Sequence, residues 1–133
     1  MARHNYRIDT EAGAQEAIFS WCDIMRGSYP ELRLLHHIPN GGQRNKSTAI
    51  ALKRQGVKAG VPDLMLPVAR HGFHGLYIEL KKADKTNKAT TMQKQWLRDL
   101  TDQGYKAVVC YGYDEAVEVL ADYLEQEKKE KER

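Results

Sequence analysis

The chain has 133 residues, 41% hydrophobic and 29% charged, which is the size and composition of one globular domain with a core of its own. Its 21 basic and 18 acidic residues leave a net charge of +3. There is no apolar run of membrane-spanning length, and the opening MARHNYRIDTEA lacks the apolar stretch of a signal peptide. Cys22 and Cys110 form no CxxC pair and read as reduced, buried thiols of a cytoplasmic protein, which excludes a disulfide scaffold or a structural zinc module.

In chain order, Thr10 caps a first helix reaching about Met25, with Ala14, Ala17, Ile18, Trp21, Cys22 and Met25 as its apolar stripe. Gly27-Ser28-Tyr29-Pro30 stops it. Leu32 to Ile38 is predicted as a strand, ended by the turn Pro39-Asn40-Gly41-Gly42. Ser47 opens a short helix closing at Gly56. Asp63 to Val68 and Gly75 to Lys82 are predicted as strands of a hairpin folded about residues 71–72. Thr91 caps a helix with Met92, Trp96, Leu97 and Leu100 turned inward. The apolar Lys106–Tyr111 is predicted as an interior strand. Asp114 caps a last helix with Ala116, Val117, Leu120, Tyr123 and Leu124 on one side, and residues 126–133 form a charged tail of alternating sign. The expected fold class is α/β: a mixed central sheet of about four strands flanked by helices, in a single domain over residues 1–125.

Charge is segregated along the chain. Residues 32–62 carry Arg33, Arg44, Lys46, Lys53, Arg54 and Lys58 with no acid, and residues 80–98 carry Lys81, Lys82, Lys85, Lys88, Lys94 and Arg98 against Asp84. Such a distribution can present a polyanion-binding face, or simply a solvated basic surface.

One constellation carries chemistry. Alternation along residues 75–82 places Leu76, Ile78 and Leu80 on one face and Tyr77, Glu79 and Lys81 on the other. The hairpin brings Asp63 opposite residues 79–81, so two carboxylates and a lysine converge. Converging carboxylates need a shared proton or a cation, and hard oxygen ligands favour Mg²⁺ or Mn²⁺. A surface salt bridge of Lys81 with Asp63 or Glu79 is the plain alternative. On the first helix, Glu11 lies at the edge of the apolar stripe and Gln15 just outside it, both able to look toward the sheet. Glu16 faces solvent. Glu11 can equally serve as a first-turn acid compensating the helix dipole.

Gly60-Val61-Pro62-Asp63-Leu64 followed by Glu79-Leu80-Lys81 resembles the PD-(D/E)xK nuclease signature, and the surroundings resemble the VRR-NUC domain family. The likeness runs through Glu11-x-x-x-Gln15, Ile38-Pro39-Asn40-Gly41-Gly42, Gly56-Val57-Lys58-Ala59-Gly60, Gly75-Leu76-Tyr77-Ile78, Gln93-x-x-Trp96, Gly104-Tyr105 and Tyr111-Gly112-Tyr113-Asp114-Glu115-Ala116. The resemblance implies a restriction-endonuclease-like core and metal-dependent hydrolysis of DNA phosphodiester bonds, leaving a 5′-phosphate. It further implies selectivity for branched DNA in the manner of Holliday-junction-resolving enzymes. The small members of the family are standalone, tend to be homodimers and occur in phage and bacterial genomes, so a bacterial cytoplasm is the expected location.

By the same resemblance, Glu11, Asp63 and Glu79, with the backbone carbonyl of Leu80, hold one or two Mg²⁺ or Mn²⁺ ions. Lys81 contacts a phosphate oxygen or the attacking water, and Gln15 orients water or phosphate. The acid-free stretch becomes the DNA-facing wall: Asn40, Gly41 and Gly42 offer backbone amides to phosphate beside Arg44, Lys46 and Lys53, and Gln93 also faces the site. For Asn40-Gly41-Gly42 a simple loop is the alternative. Trp96 reads as core. His71 and His74 sit in a hairpin turn without further ligands, and His36 and His37 point to opposite faces of a strand, so neither pair makes a good metal site. No Walker A loop, GxGxxG or GxSxG is present, and no nucleotide cofactor is expected. Two other functions use the same surface: a non-cleaving module that binds branched DNA, and an RNA-processing nuclease.

Overall fold

The computed structural model of the protein describes residues 7–40 and 45–131. Helix α1, Glu11–Ile24, begins where the Thr10 hydroxyl accepts the Gly13 N–H at 3.0 Å, satisfying one of the free donors of the first turn. Glu11 stands at the positive end of this helix, and Ala14, Ala17, Ile18 and Cys22 are its buried stripe. A 3₁₀ turn, Met25–Gly27, ends it.

Four strands form one sheet among the described residues, in the order β1-β2-β3-β4. They are β1, His36–His37; β2, Leu64–Leu66; β3, Leu76–Lys81; and β4, Lys106–Tyr111. The first two pairings are antiparallel and β3 runs parallel to β4. The β2–β3 hairpin has Leu64 opposite Ile78 and Leu66 opposite Leu76. The remaining helices are α2, Lys46–Arg54; α3, Thr91–Asp102; and α4, Tyr113–Lys131. The α/β class with a mixed four-stranded sheet is therefore the observed one.

Helices α1 and α4 cover the face bearing Leu76, Ile78 and Leu80, and the core lies between them and the sheet: Ile18, Leu64, Leu66, Ile78 and Leu120 are wholly inaccessible. Each apolar side chain of this size buried there contributes about 1.5–3 kcal/mol. Tyr123 is buried with them and donates its hydroxyl to the Val68 carbonyl at 2.6 Å. Cys22 and Cys110 are free and buried, and burial pushes their thiols up to about 11 and about 12.

Several elements differ from the sequence expectation. Residues 30–34 form a 3₁₀ turn, Pro30–Leu34, and the expected long strand shrinks to His36–His37. Pro30 suits a first helical position, and Leu32 and Leu35, three apart, both become buried in a structure with three residues per turn. Among the described residues strand β4 lies at the edge of the sheet, not in its interior. Its apolar run reports helices over both faces, with only Cys110 fully buried.

Helix α3 buries no residue completely. Trp96, Leu97 and Leu100 are half-buried and Met92 remains 55% exposed, so the expected inward stripe is only partly covered. Three caps also shift. Thr90, not Thr91, caps α3, and Asn45, not Ser47, caps α2 by accepting the Thr48 N–H at 2.8 Å. Asp114 lies inside the first turn of α4 rather than before it.

Candidate active site

The site forms where β2 begins and β3 ends. Asp63 precedes β2, and the ladder register continued by one residue sets it opposite Glu79. Pro62 and Val61 are buried, which anchors the approach to Asp63. Helix α3 supports the same segment: Trp96 Nε1 donates to the Ala59 carbonyl at 3.2 Å. Gly60, at φ +87°, lies so close to the helix that a Cβ there would meet Met92 Cγ at 2.7 Å. A side chain at this position would be both strained and obstructed.

Three hydrogen bonds then fix Asp63. Its Oδ2 accepts the Leu80 N–H at 2.7 Å. Its carbonyl accepts the Ile38 N–H at 2.8 Å and meets His37 Nδ1 at 2.8 Å. A ring nitrogen facing a carbonyl must donate, so His37 carries its proton on Nδ1. From the sequence alone His37 reads only as half of a poor metal pair. The signal it lacked is the β1–β2 pairing, which sets His37 opposite Leu64, next to Asp63.

Glu79 is 1% exposed, and its Oε2 is buried without a hydrogen-bond partner among the described residues. Burial, then the negative charge of Asp63 and a hydrogen bond to it, pushes the Glu79 carboxyl up to about 9. Glu11 adds to the rise and Lys81 opposes it, so both charges reach Glu79. Lys81 is 8% exposed and stands two residues on, on the same face. The ion pairs among the described residues are Arg7–Asp9, Arg26–Asp23 and Arg70–Glu31, all elsewhere. Lys81 is thus buried within reach of the Glu79 carboxyl without the salt bridge of the plain alternative.

The Leu80 backbone adds an oxygen. A residue's N–H and C=O point to the same side of a strand. The Leu80 N–H goes to Asp63, and the Lys81 carbonyl goes the other way, to the Gly112 N–H at 2.9 Å. The Leu80 carbonyl therefore projects on the Asp63 side, beyond the last β2 pairing. Glu11 and Gln15 are both half-buried on the first turns of α1, while Glu16 is exposed. Among the described residues, no three His, Cys, Asp or Glu side chains are grouped closely enough to hold a metal ion by themselves. Of the two carboxylates that act on Glu79, Asp63 acts more strongly and Glu11 less.

The proposed DNA-facing residues are more dispersed. Asn40 and Lys53 line a cavity of about 430 Å³ between α2 and α3, together with Leu52, Val57, Lys58 and Met92. Lys46 is exposed at the start of α2. Gln93 turns its side-chain oxygen back to the Thr90 N–H at 2.9 Å, completing a capping box, which gives it a structural task at the start of α3. Gly41, Gly42 and Arg44 lie outside the described residues. His36 Nδ1 meets the Leu34 carbonyl at 3.0 Å, and His74 packs edge-on against Tyr105 with centroids 5.7 Å apart. No helix among the described residues is long and apolar enough to cross a membrane.

The VRR-NUC domain model matches residues 7–114. A solved structure described as a VRR_NUC domain protein is 37% identical to this chain, covers 87% of it and 88% of its own length, and superposes with a TM-score of 0.73. No curated protein is a significant match. The matched region contains every residue of the site just described, from Glu11 to Lys81, and the chain belongs to the VRR-NUC family of nuclease domains.

Proposed function

We propose that the protein is a Mg²⁺- or Mn²⁺-dependent DNA endonuclease whose centre is Asp63, Glu79 and Lys81. The observation that carries this reading is the buried, unpartnered Oε2 of Glu79, on a carboxyl that feels the charge of Asp63. A carboxylate oxygen in that position needs a proton or a cation, and the available donors are hard oxygens of the kind Mg²⁺ and Mn²⁺ select. Asp63, Glu79 and the Leu80 carbonyl would hold the metal, with Glu11 joining from α1. When bound, such an ion lowers the pKa of water and neutralises charge on a phosphate oxygen.

The protein's own groups supply the rest. Lys81 donates to a phosphate oxygen or to the attacking water, stabilising charge that grows in the transition state. Its burial supports this role, because a cation with little bulk water around it acts at low effective dielectric. The Leu80 N–H and the Asp63 carbonyl contacts orient Asp63. Gln15, uncharged and one turn from Glu11, orients water or phosphate. Asn40, Lys46 and Lys53 approach the DNA backbone from the α2 side.

Branched DNA as the preferred substrate and a homodimer as the active form follow from the likeness to the small members of the family. The test is cleavage of end-labelled four-way junction, flap and linear duplex DNA, each with Mg²⁺, Mn²⁺ or chelator. Metal-dependent cutting, strongest on a branched substrate, is the expected result. Tight binding without cutting under every metal condition would leave a non-cleaving DNA-binding module. Cutting of matched RNA in preference to DNA would assign an RNA-processing enzyme.

A further inference from the structure

The segment joining β3 to α3 carries three exposed or half-exposed lysines in a built conformation. A turn closes between Lys82 and Lys85, whose N–H reaches the Lys82 carbonyl at 3.1 Å. Asp84 accepts both the N–H and the hydroxyl of Thr86, at 2.9 and 2.7 Å, and between them Lys85 takes φ +61°, a left-handed conformation rare for a side chain of this kind. Gly112 lets this loop dock: a Cβ there would meet Ala83 Cβ at 2.7 Å.

This docking brings Lys85 and Lys88 over one aromatic ring. Both ammonium groups lie 5.5 Å from the centroid of Tyr111, at the end of edge strand β4. Tyr111 is the ladder partner of Lys81, so its side chain stands on the same face, one strand spacing from the proposed catalytic lysine. Neither lysine belongs to an ion pair among the described residues. Asp84 accepts from Thr86 and Glu115 accepts the Tyr111 N–H at 3.1 Å, and neither acid forms an ion pair with Lys85 or Lys88. Two like charges gathered on one ring repel each other, and an anion beside them relieves that repulsion.

We propose that Lys85 and Lys88, positioned by the Tyr111 ring, bind the phosphate backbone of DNA flanking the phosphate that is cut. This rests on the nuclease reading of Asp63, Glu79 and Lys81, and extends its DNA contact from the α2 side to the β4 edge. Lys85 and Lys88 touch the DNA. Tyr111 acts through them and makes no base contact.

The test is binding of a fluorescein-labelled four-way junction and a labelled duplex, followed by anisotropy with Ca²⁺ in place of Mg²⁺ over a range of salt concentrations. A Lys85→Ala/Lys88→Ala protein weakens binding about ten-fold, and the slope of log K against log salt flattens by about 1–2. Tyr111→Phe keeps the ring and matches wild type. Tyr111→Leu keeps the bulk, loses the ring, and shows weaker binding with a reduced salt slope; the Lys85→Ala/Lys88→Ala protein melts at the wild-type temperature. Wild-type affinity and slope in the double variant would overturn the proposal while leaving the nuclease reading intact. Equal loss in Tyr111→Phe and Tyr111→Leu would overturn the role of the ring. Absence of DNA binding by the wild type would overturn the nuclease reading and this proposal with it.

Discussion

The Asp63 carboxylate accepts the Leu80 N–H at 2.7 Å, tying the residue before β2 to the backbone between Glu79 and Lys81. The two halves of the site are therefore held together by a backbone hydrogen bond as well as by strand pairing. Asp63→Ala leaves the Leu80 donor without its acceptor and lowers stability by about 1–3 kcal/mol. Asp63→Asn retains an acceptor oxygen and stays within about 1 kcal/mol of wild type, yet loses cleavage as completely as the alanine variant. Urea denaturation read beside a cleavage assay checks both halves of this expectation.

Glu79 gives the metal-free protein a defined pH dependence. Its carboxyl holds a proton up to about 9 in the folded chain, against an ordinary value of 4.5. Between these values the folded state binds more protons than the unfolded state, so stability falls as pH rises. The contribution is complete below the ordinary value and gone once pH passes the folded one. Glu79→Gln removes the dependence and stabilises the metal-free protein at pH 8 by an amount on the order of 1–3 kcal/mol. Mg²⁺ raises the melting temperature of wild type at pH 8 and leaves that of Glu79→Gln unchanged. Thermal denaturation from pH 5 to pH 9, with and without Mg²⁺, measures all of this.

The hairpin at the centre of the site was legible because it is local. A turn at residues 71–72 and a period of two along Leu76–Lys81 suffice to bring Asp63 level with Glu79. Other features depend on contacts distant in sequence. That β4 is an edge strand follows from the absence of a fifth strand beyond it among the described residues, which an apolar pattern cannot express. The bond from His37 to the Asp63 carbonyl requires knowing that β1 pairs with β2. Gln93 shows a different limit. Its position at the start of a helix suits both a ligand contact and a capping box, and only the Thr90 N–H at its side-chain oxygen distinguishes the second.

Gly60 is the point at which α3 controls the site. Gly60→Ala places a Cβ against Met92 Cγ and Trp96 Cδ1 and forces a left-handed φ on a residue with a side chain. The expected cost is about 1–3 kcal/mol of stability, accompanied by reduced cleavage as the Ala59–Asp63 segment shifts. Comparing kcat with the denaturation midpoint at a temperature where the variant remains folded separates the two effects.

Cys22 and Cys110 should be inert in the native protein, since burial raises both thiols far above neutral pH. A chromogenic disulfide reagent is expected to label neither at pH 7.5 without denaturant, and both in urea. Rapid native labelling would show that the core around Ile18 and Leu120 opens readily.

Single-turnover cleavage of four-way junction and duplex DNA by wild type, Asp63→Asn and Lys81→Ala, with Mg²⁺ and with chelator, tests whether Asp63, Glu79 and Lys81 form a metal-dependent nuclease centre. Wild type is expected to cut only with metal, Asp63→Asn not at all, and Lys81→Ala about 10²–10³-fold more slowly with DNA binding retained. Cutting that persists in chelator, or that survives both substitutions, would rule out a metal-dependent centre built on Asp63 and Lys81.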